Sequence, residues 1–94
     1  MQSSLVEFEF DPIKSEGNRS KHGIDFIEAQ KLWDDGNLVT IPSKYPDEPR
    51  YISIGTLNEK HWAAVFTERN ARIRIISVRR ARDNERAMYE RNKC

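Results

Sequence analysis

The stretch Arg72-Ile73-Arg74-Ile75-Ile76-Ser77-Val78-Arg79-Arg80 decides the fold. Its apolar residues Ile73, Ile75, Ile76 and Val78 fall on both parities, whereas a strand with one wet face keeps them on one. Such a run is buried on both faces over part of its length, and so lies inside a sheet, or it carries a bulge. Towards the N-terminus, Glu68 to Ala71 reads as a turn and Lys60 to Thr67 as a strand with Trp62, Ala64 and Phe66 inward. Asn58-Glu59 is a hairpin turn without the glycine such turns favour. Arg50 to Leu57 is a further strand, with Ile52 and Ile54 on one face. Pro42, Pro46 and Pro49 make residues 42–49 a loop, and Leu38 to Ile41 is a short strand before it. In the other direction, Ala81 to about Lys93 is rich in Arg, Glu and Ala and reads as a helix, with Arg82, Glu85 and Arg86 at i, i+3 and i+4.

The first third completes the pattern. Val6, Phe8 and Phe10 alternate with Glu7 and Glu9, which predicts a strand over Leu5 to Phe10. Asp11-Pro12 supplies an N-cap and a first helical residue for a polar helix to about Lys21, and His22-Gly23 ends it. Asp25 with Glu28 three residues on resembles a capping box, and Phe26, Ala29 and Trp33 share the inner face of the second helix, closed by Asp34-Asp35-Gly36. The predicted order is β-α-α-β-β-β-β-α: an α+β chain, one domain over residues 1–94, with an antiparallel sheet and helices packed on one side.

The 94 residues are 37% hydrophobic and 33% charged, and nine aromatics suffice to seed a core. No run approaches the roughly 18 apolar residues of a membrane helix, the start is acidic rather than signal-like, and the one cysteine, Cys94, excludes an internal disulfide. These features favour the cytoplasm. The net charge of +1 hides a polarity. Residues 1–35 carry four Lys/Arg against eight Asp/Glu, whereas residues 79–94 carry six against three. A helix–turn–helix reading of the acidic third is electrostatically unfavourable for DNA.

His22 and His61 are isolated, so a zinc site is not expected. Neither a Gly-rich phosphate loop nor a Gly-x-Ser-x-Gly elbow is present, and no cofactor is called for. What stands out is a concentration of guanidinium groups on the predicted sheet: Arg50, Arg69, Arg72, Arg74, Arg79 and Arg80. Arg72 and Arg74 share a strand face, and guanidinium binds phosphate bidentately at any working pH. Converging arginines would grip an RNA backbone and offset charge on a pentavalent phosphorane. Metal-free cleavage also needs proton carriers, for which His22, His61, Glu68 and Tyr89 are available. Taken singly, His22 reads first as a capping or packing residue, His61 as an exposed, idle one and Tyr89 as helix packing.

Three blocks carry a family resemblance. Phe8-Glu9-Phe10-Asp11-Pro12-x-Lys14 with Asn18-x-x-Lys21-His22-Gly23-Ile24-x-Phe26-x-Glu28-Ala29 resembles the opening of BrnT-type toxins. Arg50-Tyr51-Ile52-Ser53-Ile54-Gly55 is similar to their second block, and Thr67-Glu68-Arg69 with Arg72 to Ala81 to their third. Glu85-Arg86-x-x-Tyr89-Glu90 is similar to their closing helix, so the match runs from Phe8 to Glu90. The resemblance implies a RelE-like fold and a type II toxin that cleaves RNA without a metal and arrests translation. It also implies a DNA-binding, ribbon-helix-helix antitoxin of the BrnA kind, a 2:2 complex, and operator contact only through that complex. On this resemblance, Arg50, Arg69, Arg72, Arg74 and Arg79 would meet the phosphate and transition state, with His22 beside them. Lys21, Arg80 and Tyr89 would contact RNA. One departure is Arg82, where the family often has Thr or Ser; without that cap, Asp83 must substitute or the helix start frays. A rival reading stays open, that of a non-enzymatic module whose arginines contact an antitoxin or operator DNA.

Overall fold

A computed structural model of the chain describes residues 6–43 and 48–93. The elements are β1 (Phe8–Glu9), α1 (Pro12–His22), α2 (Phe26–Ala29) continued by a 3₁₀ turn (Gln30–Asp34), β2 (Val39–Ser43), β3 (Arg50–Leu57), β4 (Lys60–Arg69), β5 (Arg72–Arg80) and α3 (Asp83–Asn92). Class and order are those read from the sequence. The five strands form one sheet in the order β1-β5-β4-β3-β2.

The strand β5 is both interior and bulged. It lies between β1 and β4, and the β4–β5 register shifts between Val65↔Ser77 and Phe66↔Ile75, so Ile76 is the extra residue. This accounts for isoleucines on both parities. Both hairpins of the β3–β4–β5 meander are two-residue turns with positive φ at each position, 54° and 66° at Asn58-Glu59 and 55° and 65° at Asn70-Ala71. That geometry matches the twist of paired strands, and here it is reached without glycine.

The sheet differs from the expected antiparallel form at one edge. The strand β1 pairs parallel with β5, Phe8 to Ile73 and Glu9 to Arg74. This pairing joins residues 65 apart and leaves no local signal in the sequence. The expected strand from Leu5 is shorter than read; Leu5 itself lies outside the described residues. The remaining edge of β5 is met by α1: Asn18 accepts the Val78 N–H at 3.1 Å and donates to the Ile24 carbonyl at 2.8 Å. At the other edge, Pro42 and Ser43, expected in a loop, belong to β2.

Helices lie on both faces, because both faces are apolar. On one, Ile24, Phe26, Ala29 and Leu32 pack against Trp62, Ala64, Ile75 and Val78. On the other, Tyr89 of α3 packs with Ile54 and Ala63, flanked by Val39, Ile41, Ile52 and Met88. The register Ile54↔Ala63 and Gly55↔Trp62 puts the two sets on alternate sides. The third helix therefore leaves the expected single layer. Gly55 is buried where a Cβ would stand 2.8 Å from Leu38 Cδ1 and 3.3 Å from Asp35 Oδ2, so glycine lets the segment after α2 lie on β3.

Both ends of α1 and the start of α2 follow the sequence. Asp11 accepts the Ile13 N–H at 2.9 Å, and Gly23, at φ 82°, closes α1 through a 2.8 Å bond to the Arg19 carbonyl. Asp25 accepts the Glu28 N–H at 2.8 Å. In α3 the cap residue is Arg82, whose side chain accepts nothing; Glu85 instead takes the Arg82 N–H at 2.8 Å, half of a capping box.

Candidate functional site

Strand register gathers the arginines. Arg69 stands opposite Arg72, Thr67 opposite Arg74, and Ser43 opposite Arg50. Alternation along β4 puts Thr67 and Arg69 on the face covered by α3, with Ala63 and Val65. Past the bulge at Ile76 the parity of β5 inverts, so Arg79, opposite Ala63, joins Arg72 and Arg74 on that face. Arg80, opposite Trp62, goes to the other. Five of the sequence-nominated residues, Arg50, Arg69, Arg72, Arg74 and Arg79, thus share one face, and α3 covers only its other end.

Between the start of α3 and this arginine end lies an open hollow of about 280 Å³. Its floor is Ile52, Val65 and Ile76; its rim is Arg50, Arg79 and Arg82 with Ser43 and Ser77. A water-poor floor strengthens the attraction of the rim for an anion.

Every one of the five arginines meets a glutamate. Arg72 lies 3.0 Å from Glu7 and 3.9 Å from Glu9, Arg74 lies 3.3 Å from Glu9, and Arg50 and Arg69 lie 3.7 and 3.6 Å from Glu48. Arg74 and Glu9, 33% and 26% exposed, are half-buried, but the outer pairs are solvated: the Arg72 and Glu7 side chains are 53% and 66% exposed. Such pairs are worth about 0–1 kcal/mol and exchange readily for a phosphate. Arg79 is held differently, by two parallel bonds of 2.8 and 2.9 Å to a Glu85 that is 4% exposed. The Arg79 hydrogen bond holds the Glu85 carboxyl below its ordinary value against the opposing effect of burial, and the same bond raises the Arg79 pKa. Arg79 is therefore first a strut between β5 and α3.

The remaining nominated residues lie elsewhere. His22 and Lys21 are exposed at the end of α1. His22 lines a separate hollow of about 170 Å³ with Glu28, Asn58, Lys60 and Trp62, on the side away from the arginines. Arg80 stacks over Trp62 at 5.6 Å. Tyr89 is buried under α3, where its hydroxyl donates to Asp35 at 2.6 Å beside Thr56, which also bonds Asp35. His61 pairs with Glu90 at 2.7 Å and meets the Tyr89 ring edge-on. Among the described residues, no group of three or more His, Cys, Asp or Glu side chains is placed to hold a metal ion.

Sequence reasoning missed the carboxylates of this face. Glu48 was legible only through its position two residues before Arg50, with Pro49 between. Arg82, which lines the hollow just before α3, and Glu85, which holds Arg79, showed only as helix spacing.

Among curated proteins, none matches the chain. A model of the BrnT family, described as the ribonuclease toxin of type II toxin-antitoxin systems, matches residues 10–85. That span holds α1, the sheet from β2 to β5 and all five clustered arginines. Carrying this match over most of its length, the chain belongs to the BrnT family of ribonuclease toxins.

Proposed function

We propose that the chain is an endoribonuclease that cuts messenger RNA without a metal ion and so arrests translation in the cytoplasm. The observation that carries this reading is the convergence of Arg50, Arg69, Arg72 and Arg74 beside an open, apolar-floored hollow. Their guanidinium groups bind the scissile phosphate and offset charge as the 2′-oxygen attacks phosphorus. Solvated glutamates hold them in the absence of RNA, and a doubly charged backbone segment displaces those glutamates. Purified protein should degrade RNA in EDTA, and the Arg72→Ala/Arg74→Ala double variant should lose that activity while melting within a few degrees of the unmutated chain. Intact RNA under varied ionic conditions would remove the reading.

A type II family has a protein antitoxin as partner. The reading extends this to a ribbon-helix-helix protein in a 2:2 complex that alone contacts operator DNA. The glutamate beside each of the five clustered arginines also favours a second reading, a non-enzymatic module whose cations serve an acidic partner. Expression separates the two: growth arrest relieved by the antitoxin supports the nuclease, and harmless expression with tight antitoxin binding supports the module.

A further inference from the structure

Metal-free cleavage requires a base at the 2′-hydroxyl as well as a grip on the phosphate. Four glutamates touch the arginine face, and their settings differ. Glu85 is buried, with one oxygen on Arg79 and the other shared between Arg79 Nη1 and the Arg82 N–H. Glu7 and Glu9 engage Arg72 and Arg74, neither of which lines the hollow. Glu48 stands between Arg50, which does line it, and Arg69 across the face, at 3.7 and 3.6 Å. Those distances are too long for hydrogen bonds, and the side chain is 37% exposed. The carboxylate is therefore close to two cations but bound tightly by neither.

Its backbone, by contrast, is anchored. Thr67, 3% exposed, donates its hydroxyl to the Pro49 carbonyl at 2.7 Å, tying the residue after Glu48 to β4. Proline at 49 also restricts Glu48 to extended conformations. A buried hydroxyl and a proline thus fix where this carboxylate can reach.

The geometry points to Glu48 as the general base of the cleavage, an assignment that rests on the ribonuclease reading above. The carboxylate takes the proton of the 2′-hydroxyl as the 2′-oxygen forms its bond to phosphorus. Arg50 and Arg69, on either side, hold the non-bridging oxygens. The bond from phosphorus to the 5′-oxygen breaks, and that oxygen leaves with its electron pair and takes a proton from water. The products are a 2′,3′-cyclic phosphate and a 5′-hydroxyl, and Glu48 returns its proton to solvent.

The test uses the full chain and a short single-stranded RNA, with cleavage followed under single turnover and affinity measured on the same RNA bearing 2′-deoxyribose at the cut site. Glu48→Gln should lower the cleavage rate about 10²-fold or more while binding equally or more tightly, since a carboxylate leaves the cationic face. Cleavage within threefold of the unmutated rate overturns the assignment. So does weakened binding with an unchanged rate, which would make Glu48 a spacer for the arginines. If the Gln variant does not fold, Glu48→Asp decides: a rate loss of tenfold or more at equal affinity supports the base, and an unchanged rate overturns it. Failure of the unmutated chain to give cyclic phosphate ends removes the ribonuclease reading itself, and this assignment with it.

Discussion

Arg79 and Glu85 clasp each other through two parallel hydrogen bonds, 2.8 Å from Nη1 to Oε1 and 2.9 Å from Nη2 to Oε2. The clasp joins the end of β5 to the first turn of α3, and Glu85 simultaneously accepts the Arg82 N–H that opens the helix. Removing one partner leaves the other charged and largely desolvated. Glu85→Gln should therefore cost about 3 kcal/mol of stability, read from urea unfolding. A loss below about 1 kcal/mol would show that the pair behaves as an ordinary surface contact.

Acid should act on the same joint. The Arg79 hydrogen bond holds Glu85 below the ordinary carboxyl value of 4.5. Burial would raise Asp35, yet bonds from Tyr89, Thr56 and Asn37 together bring it below 3.8. For both, the unfolded chain takes up protons first as pH falls, so their contribution is full above the unfolded values and lost as pH drops through the lower folded ones. The melting temperature should be insensitive to these groups above pH 5 and fall below about pH 4.5. The Glu85→Gln variant should show a shallower acid decline in the same melts.

Tyr89 of α3 donates at 2.6 Å to Asp35, in the segment between the 3₁₀ turn and β2. Tyr89→Phe keeps the ring against Ile54 and Ala63 but deletes a bond to a charged acceptor. The expected cost is about 1.5–3 kcal/mol by denaturant titration, with far-ultraviolet circular dichroism unchanged.

The turn Asn70-Ala71 places an alanine at φ 65°, where its Cβ crowds the backbone. Ala71→Gly should stabilise the chain by about 1 kcal/mol, because the strain of that conformation exceeds the flexibility added to the unfolded state. A destabilised variant would show that the side chain contributes contacts beyond the turn.

RNA binding should be steeply salt-dependent if the arginines release counterions. Each phosphate contact on a single strand contributes about 0.7 to the slope of log K against log salt. Arg74→Ala should flatten the slope by roughly that amount without shifting the melting point by more than a few degrees. Arg79→Ala should instead lower the melting point, because its guanidinium holds Glu85.

Much of the architecture was legible in the chain. Isoleucines on both parities of β5 announced an interior or a bulged strand, and Asp11-Pro12, His22-Gly23 and Asp25 marked helix ends by local chemistry. The side of each arginine was not legible. Period two groups Arg80 with Arg72 and Arg74 and sets Arg79 apart, but the bulge at Ile76 exchanges them. Nor was the placement of α3, since Ile52 and Ile54 face away from Trp62 and Ala64 only once the register of β3 and β4 is known. Lys21 and His22 were singled out by motif, and a motif carries no information about which face of a sheet its helix covers.

The side-chain amide of Asn18 works as a stopper on β5 beyond β1, taking the Val78 N–H that a neighbouring strand would otherwise use. A strand from a second copy arriving beside this stretch of β5 should consequently find its donor already taken.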